Sequence, residues 1–357
     1  MIDIVIRSIR ARAINVPLEY PIRTASGTVH TSPLVLIDLE TDAGITGCAY
    51  IFDYIPPALQ PLAHAVSSLG ELLIGQPLAP VDLSMMLEKR LRLIGNQGLL
   101  RMASSGLDMA AWDALAKIND VPLTVLLGGK PRPIRSYDSH AMDGRELAIE
   151  RARRSANMDF SAIKTKVGYD TLDEDLQVVS AIRAETGLNV MVDYNQSLTV
   201  PEAIRRSRAL DEQGVIWIEE PTLQQDYDGY RRIGEAIRSP IQMGENWCGI
   251  DEMHKALEAG AAPLAMVDIM KIGGVTGWLA ASGLAQARGI PLSSHLFQEF
   301  SAHMLAVTPS CDWLERMDIA GPIIEPALTF ADGYAHIGDL PGAGLIWREE
   351  EISRYLA

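Results

Sequence analysis

Two lysines two residues apart, Lys164 and Lys166, lie in the run Ser161-Ala162-Ile163-Lys164-Thr165-Lys166-Val167-Gly168, which reads as a short strand. Side chains at that spacing share a face. Two ammonium groups held together make one of them easier to deprotonate, the property a general base needs near neutral pH. Taken alone, the pair would also fit a solvated strand face, and the residues beyond it in the chain separate the two readings. From Lys166, an ionisable residue closes an apolar run after 27 residues (Asp193), then 26 (Glu219), 26 (Glu245), 23 (Asp268), 27 (His295) and 20 (Glu315). Each interval is about one strand-helix unit, so each unit delivers one such side chain to the same end of its strand. Asp193, Glu219 and Glu245, from three successive strands, would crowd three carboxylates into one volume. A partly buried site tolerates that only with a cation, and oxygen-only ligands suit Mg2+, with Mn2+ the alternative, better than zinc. Lys166 falls on the second strand and His295 on the seventh of an expected eight, so the two face each other across the mouth. Asp268, on the sixth, is placed to accept from the imidazole, fixing its tautomer and favouring its charged form. A base on each flank of an anion-holding centre suits removal of the proton from a carbon next to a carboxylate. Because that step gathers negative charge, donors must already surround the carboxylate. Lys164 and a protonated Glu315 are expected as donors, and Ser139 and Asn195 at further strand ends as groups that orient substrate oxygens. Ordinary loop capping is the competing role for Ser139 and Asn195.

The elements that must carry these residues follow from hydrophobic periodicity. From residue 134 onward, short apolar strands alternate with helix-compatible segments, among them a helix over 201–211 begun by Pro201. Eight such units close as a (β/α) barrel of the TIM type, an α/β fold. Residues 1–130 differ: strand-like runs over 4–16, 33–40 and 45–52, with Asp42-Ala43-Gly44 as a turn, form an antiparallel meander. Helical periodicity continues over 59–73, 81–93 and 100–118, making an α+β capping domain. The polar stretch 20–30 contains Gly27 and is expected as a mobile lid loop. The expected division is a cap over 1–130, a barrel over 131–318 and a segment over 319–357 that returns to the cap. A net charge of -15 argues against nucleic acid as a partner. No run approaches the roughly 18 apolar residues of a membrane span, so no membrane partner is expected. Cys48, Cys248 and Cys311 have spacings that suit neither a disulfide framework nor a zinc knuckle, which points to a reducing cytoplasm.

Together the motifs Lys164-Thr165-Lys166, Val192-Asp193-Tyr194-Asn195, Trp217-Ile218-Glu219-Glu220-Pro221, Met243-Gly244-Glu245-Asn246, Lys271-Ile272-Gly273-Gly274 after Asp268, and Ser294-His295 resemble the enolase superfamily. The lysine pair with the Asp268–His295 dyad resembles its mandelate racemase subgroup, and the likeness extends over nearly the whole chain, including Tyr137-Asp138-Ser139-His140 and Leu345-Ile346-Trp347-Arg348-Glu349. The resemblance implies a modified TIM barrel under a cap, magnesium at Asp193, Glu219 and Glu245, and Lys166 and His295 as the two bases acting through an enediolate. It also implies Glu315 as electrophilic acid, a homo-octamer, and racemisation of mandelate or a related aryl 2-hydroxy acid in aromatic catabolism. Ile22, Ser26, Val29, Tyr54 and Met317 fall where the subgroup builds its substrate pocket. Val29 and Tyr54 match it, whereas Ile22, Ser26 and Met317 depart, leaving an apolar pocket with one polar substitution. The alternative activity is an acid-sugar dehydratase, in which the same lysine and histidine would expel a β-hydroxyl from a more polar pocket. A metal-stabilised binding protein without turnover is the non-enzymatic reading.

Overall fold

The structure, a computed structural model, describes residues 4–25 and 27–357. Its first three strands, β1 (Ile6–Thr24), β2 (Gly27–Thr41) and β3 (Thr46–Phe52), form an antiparallel sheet in that order. The helices α1 (Leu59–Glu71), α2 (Pro80–Leu91) and α3 (Leu99–Ile118) come next. Alanine-rich α3 lies so close on the sheet that a Cβ at Gly47 would collide with the backbone of Ala110 and with Ala114. Of the stretch 20–30, expected as a loop, residues 20–24 and 27–30 are instead the far end of the β1–β2 hairpin: Ile22 pairs with Val29, Arg23 with Thr28 and Thr24 with Gly27. The register shifts between Pro17 and Ile22, where Pro17 and Pro21 bring no N–H to the ladder and mask the alternation that marks a strand. This arm is tied to the rest of the chain by Arg154 to Glu19 (2.6 Å), by Arg151 over the Tyr20 ring (4.7 Å) and by Met142 N to Arg23 O (2.9 Å). Ser26, one of the expected pocket residues, lies outside the described residues.

A one-turn helix α4 (Leu123–Leu126) leads into the barrel. There β4 (Ile134–Ser139), α5 (Gly144–Asn157), β5 (Ala162–Lys166), α6 (Leu172–Thr186), β6 (Asn189–Asp193), α7 (Val200–Gln213), β7 (Ile218–Glu219) and α8 (Tyr227–Ala236) make the first half. The second half is β8 (Ile241–Met243), α9 (Ile250–Glu258), β9 (Leu264–Asp268), α10 (Ile269–Ile272), α11 (Gly274–Arg288), β10 (Leu292–His295), α12 (Gln298–Ala306) and β11 (Leu314–Arg316). Strands β4 to β10 pair in parallel and in chain order; β11 pairs with β4, and Ser294 N donates to Trp313 O (3.0 Å), so the ring closes on eight strands. Where an eighth helix would stand, the chain forms the hairpin β12 (Leu328–Ala331) and β13 (Tyr334–Ile337) against β4 and then α13 (Glu349–Arg354). Its end joins the first strand of the cap, with Asn15 N to Tyr355 O (2.8 Å) and Ala357 N to Ala13 O (3.0 Å). Among the described residues no helix is long and apolar enough to cross a membrane.

The inward faces of the barrel strands share one pattern. Tyr137, Ala162, Met191, Trp217, Met266 and Trp313 pack as a separate apolar cluster. Two residues further along the same face stand Ser139, Lys164, Asp193, Glu219, Asp268 and Glu315. The apolar layer plugs the barrel, and the polar layer above it is therefore set on a packed floor.

Candidate active site

Period two explains why these side chains converge, and the two short β-strands explain how. Strand β7 ends at Glu219, and β8 stops at Met243 because Gly244 turns at φ 127°, where a Cβ would strike the Met266 carbonyl and the Trp247 ring. That turn throws Glu245 back toward its neighbours. One carboxylate oxygen from each of Asp193, Glu219 and Glu245 lies within 4.8 Å of the others, and all three residues are buried.

Around this triad the charges do not balance. The six buried acids Asp193, Glu219, Glu220, Glu245, Asp268 and Glu315 outnumber the cationic side chains Lys164, Lys166, Lys271 and His295. Lys164, at 1% exposure, donates to Glu219 (2.6 Å) and pairs with Glu315 (2.9 Å). Burial alone would strip its proton, but Glu219 and Glu315 outweigh burial and hold the ammonium well above its usual range. Even so, burial and the neighbouring acids Asp193, Glu245 and Glu315 keep Glu219 well above the carboxylate range, and burial with Glu245 and Asp193 pushes Glu220 up to about 8. A buried, oxygen-only donor set that lacks positive charge in this way fits a hard divalent cation.

Lys166 and His295 line one cavity of about 290 Å3 together with Asn195 and Glu245. His295 Nδ1 lies 2.7 Å from Asp268 Oδ2, while its Nε2 stands 3.3 Å from Glu245. Burial lowers the imidazole, but Glu245 and Asp268 overcome it and raise it above the ordinary value. Asp268 is itself fixed by Met270 N (2.7 Å) and Lys271 N (3.3 Å). Lys166 departs from the expected lowered state. Burial and Lys164 do lower it, but Asp193 at 2.6 Å outweighs both and raises it. The repulsion predicted from the spacing is present and is the weaker effect while Asp193 is free to answer it. Glu315 also departs from its expected protonated form: Lys164, His295 and the Leu296 N–H (2.8 Å) overcome burial and hold it down at about 2.

The expected pocket residues come together in part. Ile22, Val29, Tyr54 and Met317 line the same cavity as Lys166 and His295, joined by Phe52 and Leu296. Asn195, at φ 44°, donates its backbone N–H (2.7 Å) and Nδ2 (2.8 Å) to Asp193, so it braces a carboxylate of the triad. Ser139 lies instead on a neighbouring cavity of about 580 Å3 that meets the first at Ile22 and Met317. Its buried Oγ has no hydrogen-bond partner among the described residues. Other residues of the site had no role in the sequence reading. Trp217 donates Nε1 to Glu219 (3.0 Å), and Lys271 donates to Asn246 (2.7 Å), which donates to Glu220 (2.8 Å). Trp217 sits two residues before Glu219 on the inward face, a readable signal; Lys271, Asn246 and Glu220 each stand in a quoted motif, but nothing in the sequence shows that they bond in a chain beyond the ends of β9, β8 and β7.

Known proteins match this chain along its length. The model for the mandelate racemase / muconate lactonizing enzyme N-terminal domain matches residues 6–128, and that for the enolase C-terminal domain-like family matches residues 147–351. D-galactarolactone cycloisomerase of Agrobacterium fabrum is 31% identical over 98% of both chains. L-talarate/galactarate dehydratase of Salmonella typhimurium is 27% identical over 89% of this chain and 81% of its own. A crystal structure of an enolase from Bradyrhizobium complexed with magnesium and mandelic acid superposes with a TM-score of 0.96 at 43% identity, covering 100% of this chain and 99% of that one. A racemase from Streptomyces coelicolor with bound magnesium gives a TM-score of 0.95 at 29% identity, covering 99% of this chain and 100% of that one.

Proposed function

The chain belongs to the mandelate racemase / muconate lactonizing enzyme family of the enolase superfamily, and from that premise we propose that it inverts the α-carbon of a 2-hydroxy carboxylate with magnesium as cofactor. The substrate proposed is mandelate or a related aryl 2-hydroxy acid. One observation carries the reading: an amine and an imidazole line a single small cavity, beside a cation-fitting triad and under an apolar wall of Ile22, Val29, Phe52, Leu296 and Met317. The related structure that holds magnesium and mandelic acid supports it.

Asp193, Glu219 and Glu245 would hold the ion, whose chemistry there is to draw negative charge off the substrate carboxylate as the α-proton leaves. The side chains do the rest. On one flank Lys166, as the neutral amine, takes the α-proton of one enantiomer; on the other, His295 as imidazolium returns a proton to the opposite face, and the roles reverse for the other enantiomer. Asp268 on Nδ1 leaves Nε2 of His295 as the nitrogen that works on carbon. The buried ammonium of Lys164 supplies fixed positive charge where the carboxylate gathers its second negative charge. Glu315, held by Leu296 N and Lys164, is proposed as the electrophilic acid, a role that requires it to take up a proton once the substrate carboxylate brings a like charge beside it, and Ser139 and Asn195 are proposed to orient substrate oxygens.

The dehydratase reading draws on the dehydratase relative and on the polar residues Asn195, Gln196, Asn246 and Lys271 that line the cavity beside the apolar ones. Polarimetry on (R)- and (S)-2-hydroxy acids with added magnesium tests the proposal. Loss of optical rotation without net consumption is expected with aryl acids, whereas a 2-keto-3-deoxy product from a sugar acid would replace it by dehydration. We further propose a cytoplasmic homo-octamer with a cap over 1–130, barrel over 131–318 and returning segment over 319–357. The three free thiols support the compartment, and light scattering tests the assembly.

A further inference from the structure

The turn that carries Asp268 is held from outside the barrel. Asp268 ends β9 and caps α10 with Oδ1; α10 then runs into Gly273 and Gly274, whose φ of 116° and 72° start α11 in a new direction. The first N–H groups of a helix need acceptors, and Gly273, the cap residue of α11, has no side chain to offer one. The acceptor comes from α3, 168 residues away in sequence: Asp108 Oδ2 accepts from Thr276 N (3.0 Å) and Oδ1 from Thr276 Oγ1 (2.5 Å). Trp112, one turn further on α3, donates Nε1 to the same hydroxyl (2.9 Å). Gly274 makes this possible, since a Cβ there would fall on the Asp108 carboxylate. Asp108 is 5% exposed and forms no ion pair among the described residues, so the end of α11 is its whole complement of partners. The cap also reaches the middle of the turn, where Phe52 N donates to Met270 Sδ (3.3 Å). Residues 268–276 are thus bonded to His295 at one end and to α3 at the other.

We propose that Asp108 is a positioning residue for the imidazole flank of the reaction: by fixing the start of α11 it sets the Asp268 carboxylate against His295 Nδ1. The lysine flank has no such dependence, because Asp193, which Lys166 faces, is braced by Asn195 from within the barrel. The inference rests on the two-base racemase reading. A catalytic group displaced by about 1 Å loses on the order of 100-fold in rate, so a loosened dyad slows one half-reaction and spares the other.

The test is α-proton exchange in heavy water on each enantiomer of mandelate, with the magnesium-loaded full chain, the enantiomer served by His295 being assigned beforehand with His295→Asn. Asp108→Ala is expected to slow exchange on that enantiomer by about tenfold or more while leaving the other within about twofold. Asp108→Asn, which keeps an acceptor for Thr276, returns the ratio to near that of wild type, a rescue that mere loosening of the cap would not show. Thr276→Val shifts the ratio in the same direction and decides the matter if Asp108→Ala does not fold. Equal slowing of both enantiomers, or an unchanged ratio in both Asp108→Ala and Thr276→Val, overturns the proposal. Wild-type enzyme that exchanges neither enantiomer overturns the racemase reading, and the proposal with it.

Discussion

Replacing His295 by Asn puts the two-flank geometry to its most direct test. Asn can still bond Asp268 but offers no basic nitrogen. A positioned general acid or base contributes about 10²- to 10⁴-fold, and inversion needs both flanks in every turnover. Racemisation is therefore expected to fall by about 10⁴-fold or more. The lysine flank is not wholly insulated, because Nε2 of His295 stands 3.3 Å from Glu245 and 4.0 Å from Glu315. At an effective dielectric of about 20, unit charges 3.3 Å apart attract by about 5 kcal/mol before desolvation. Keeping an imidazolium buried offsets most of that. A residual near 1.4 kcal/mol, about tenfold, is the expected loss in exchange on the enantiomer served by Lys166. Polarimetry reads inversion, and proton NMR in heavy water reads exchange. Inversion abolished with exchange retained on one enantiomer is the expected pattern; parallel loss of exchange from both would refute the assignment of one base to each flank.

Chelation should abolish activity, and saturating magnesium at about 100 times its Kd should add about 2.7 kcal/mol of stability, a rise of several degrees in Tm; a Tm indifferent to both would remove the triad as a cation site. Trp217→Phe deletes the Nε1 donor to Glu219 and should weaken magnesium binding by about 10- to 100-fold in a calorimetric titration. Unchanged affinity would show that the indole only fills the barrel floor. Stability should also fall with acid through His303, whose Nδ1 accepts from Thr124 N (3.2 Å) and which burial pushes down to about 4. The folded state resists its protonation, so its contribution is complete above pH 6.5, the unfolded value, and is lost as pH falls from 6.5 to 4. The loss amounts to about 3 kcal/mol. His303→Gln, which keeps an acceptor for Thr124, should flatten the Tm profile across that window. A slope as steep as wild type would assign the acid sensitivity elsewhere.

Barrel strands advertise themselves because each must bury both faces and end in a polar residue at one rim. That is why intervals of 20 to 27 residues located Asp193, Glu219, Glu245, Asp268, His295 and Glu315 without any coordinates. The arm over 20–30 escaped because Pro17 and Pro21 break the pattern by which strands are read, although the paired backbone continues past them. Charge states escaped for a different reason. A spacing of two brings Lys164 toward Lys166, but Asp193 lies on the adjoining strand, and only register sets it 2.6 Å from the amine. The same carboxylate belongs to the triad, so the proton affinity of Lys166 and the filling of the cation site draw on one oxygen pair. An ion bound at Asp193 would draw away the carboxylate that raises Lys166, leaving burial and Lys164, which lower it, against Glu245, which raises it. The basicity expected from the lysine pair would therefore belong to the loaded site: sequence supplies the two ammonium groups, and the fold ties the proton affinity of Lys166 to the filling of the triad.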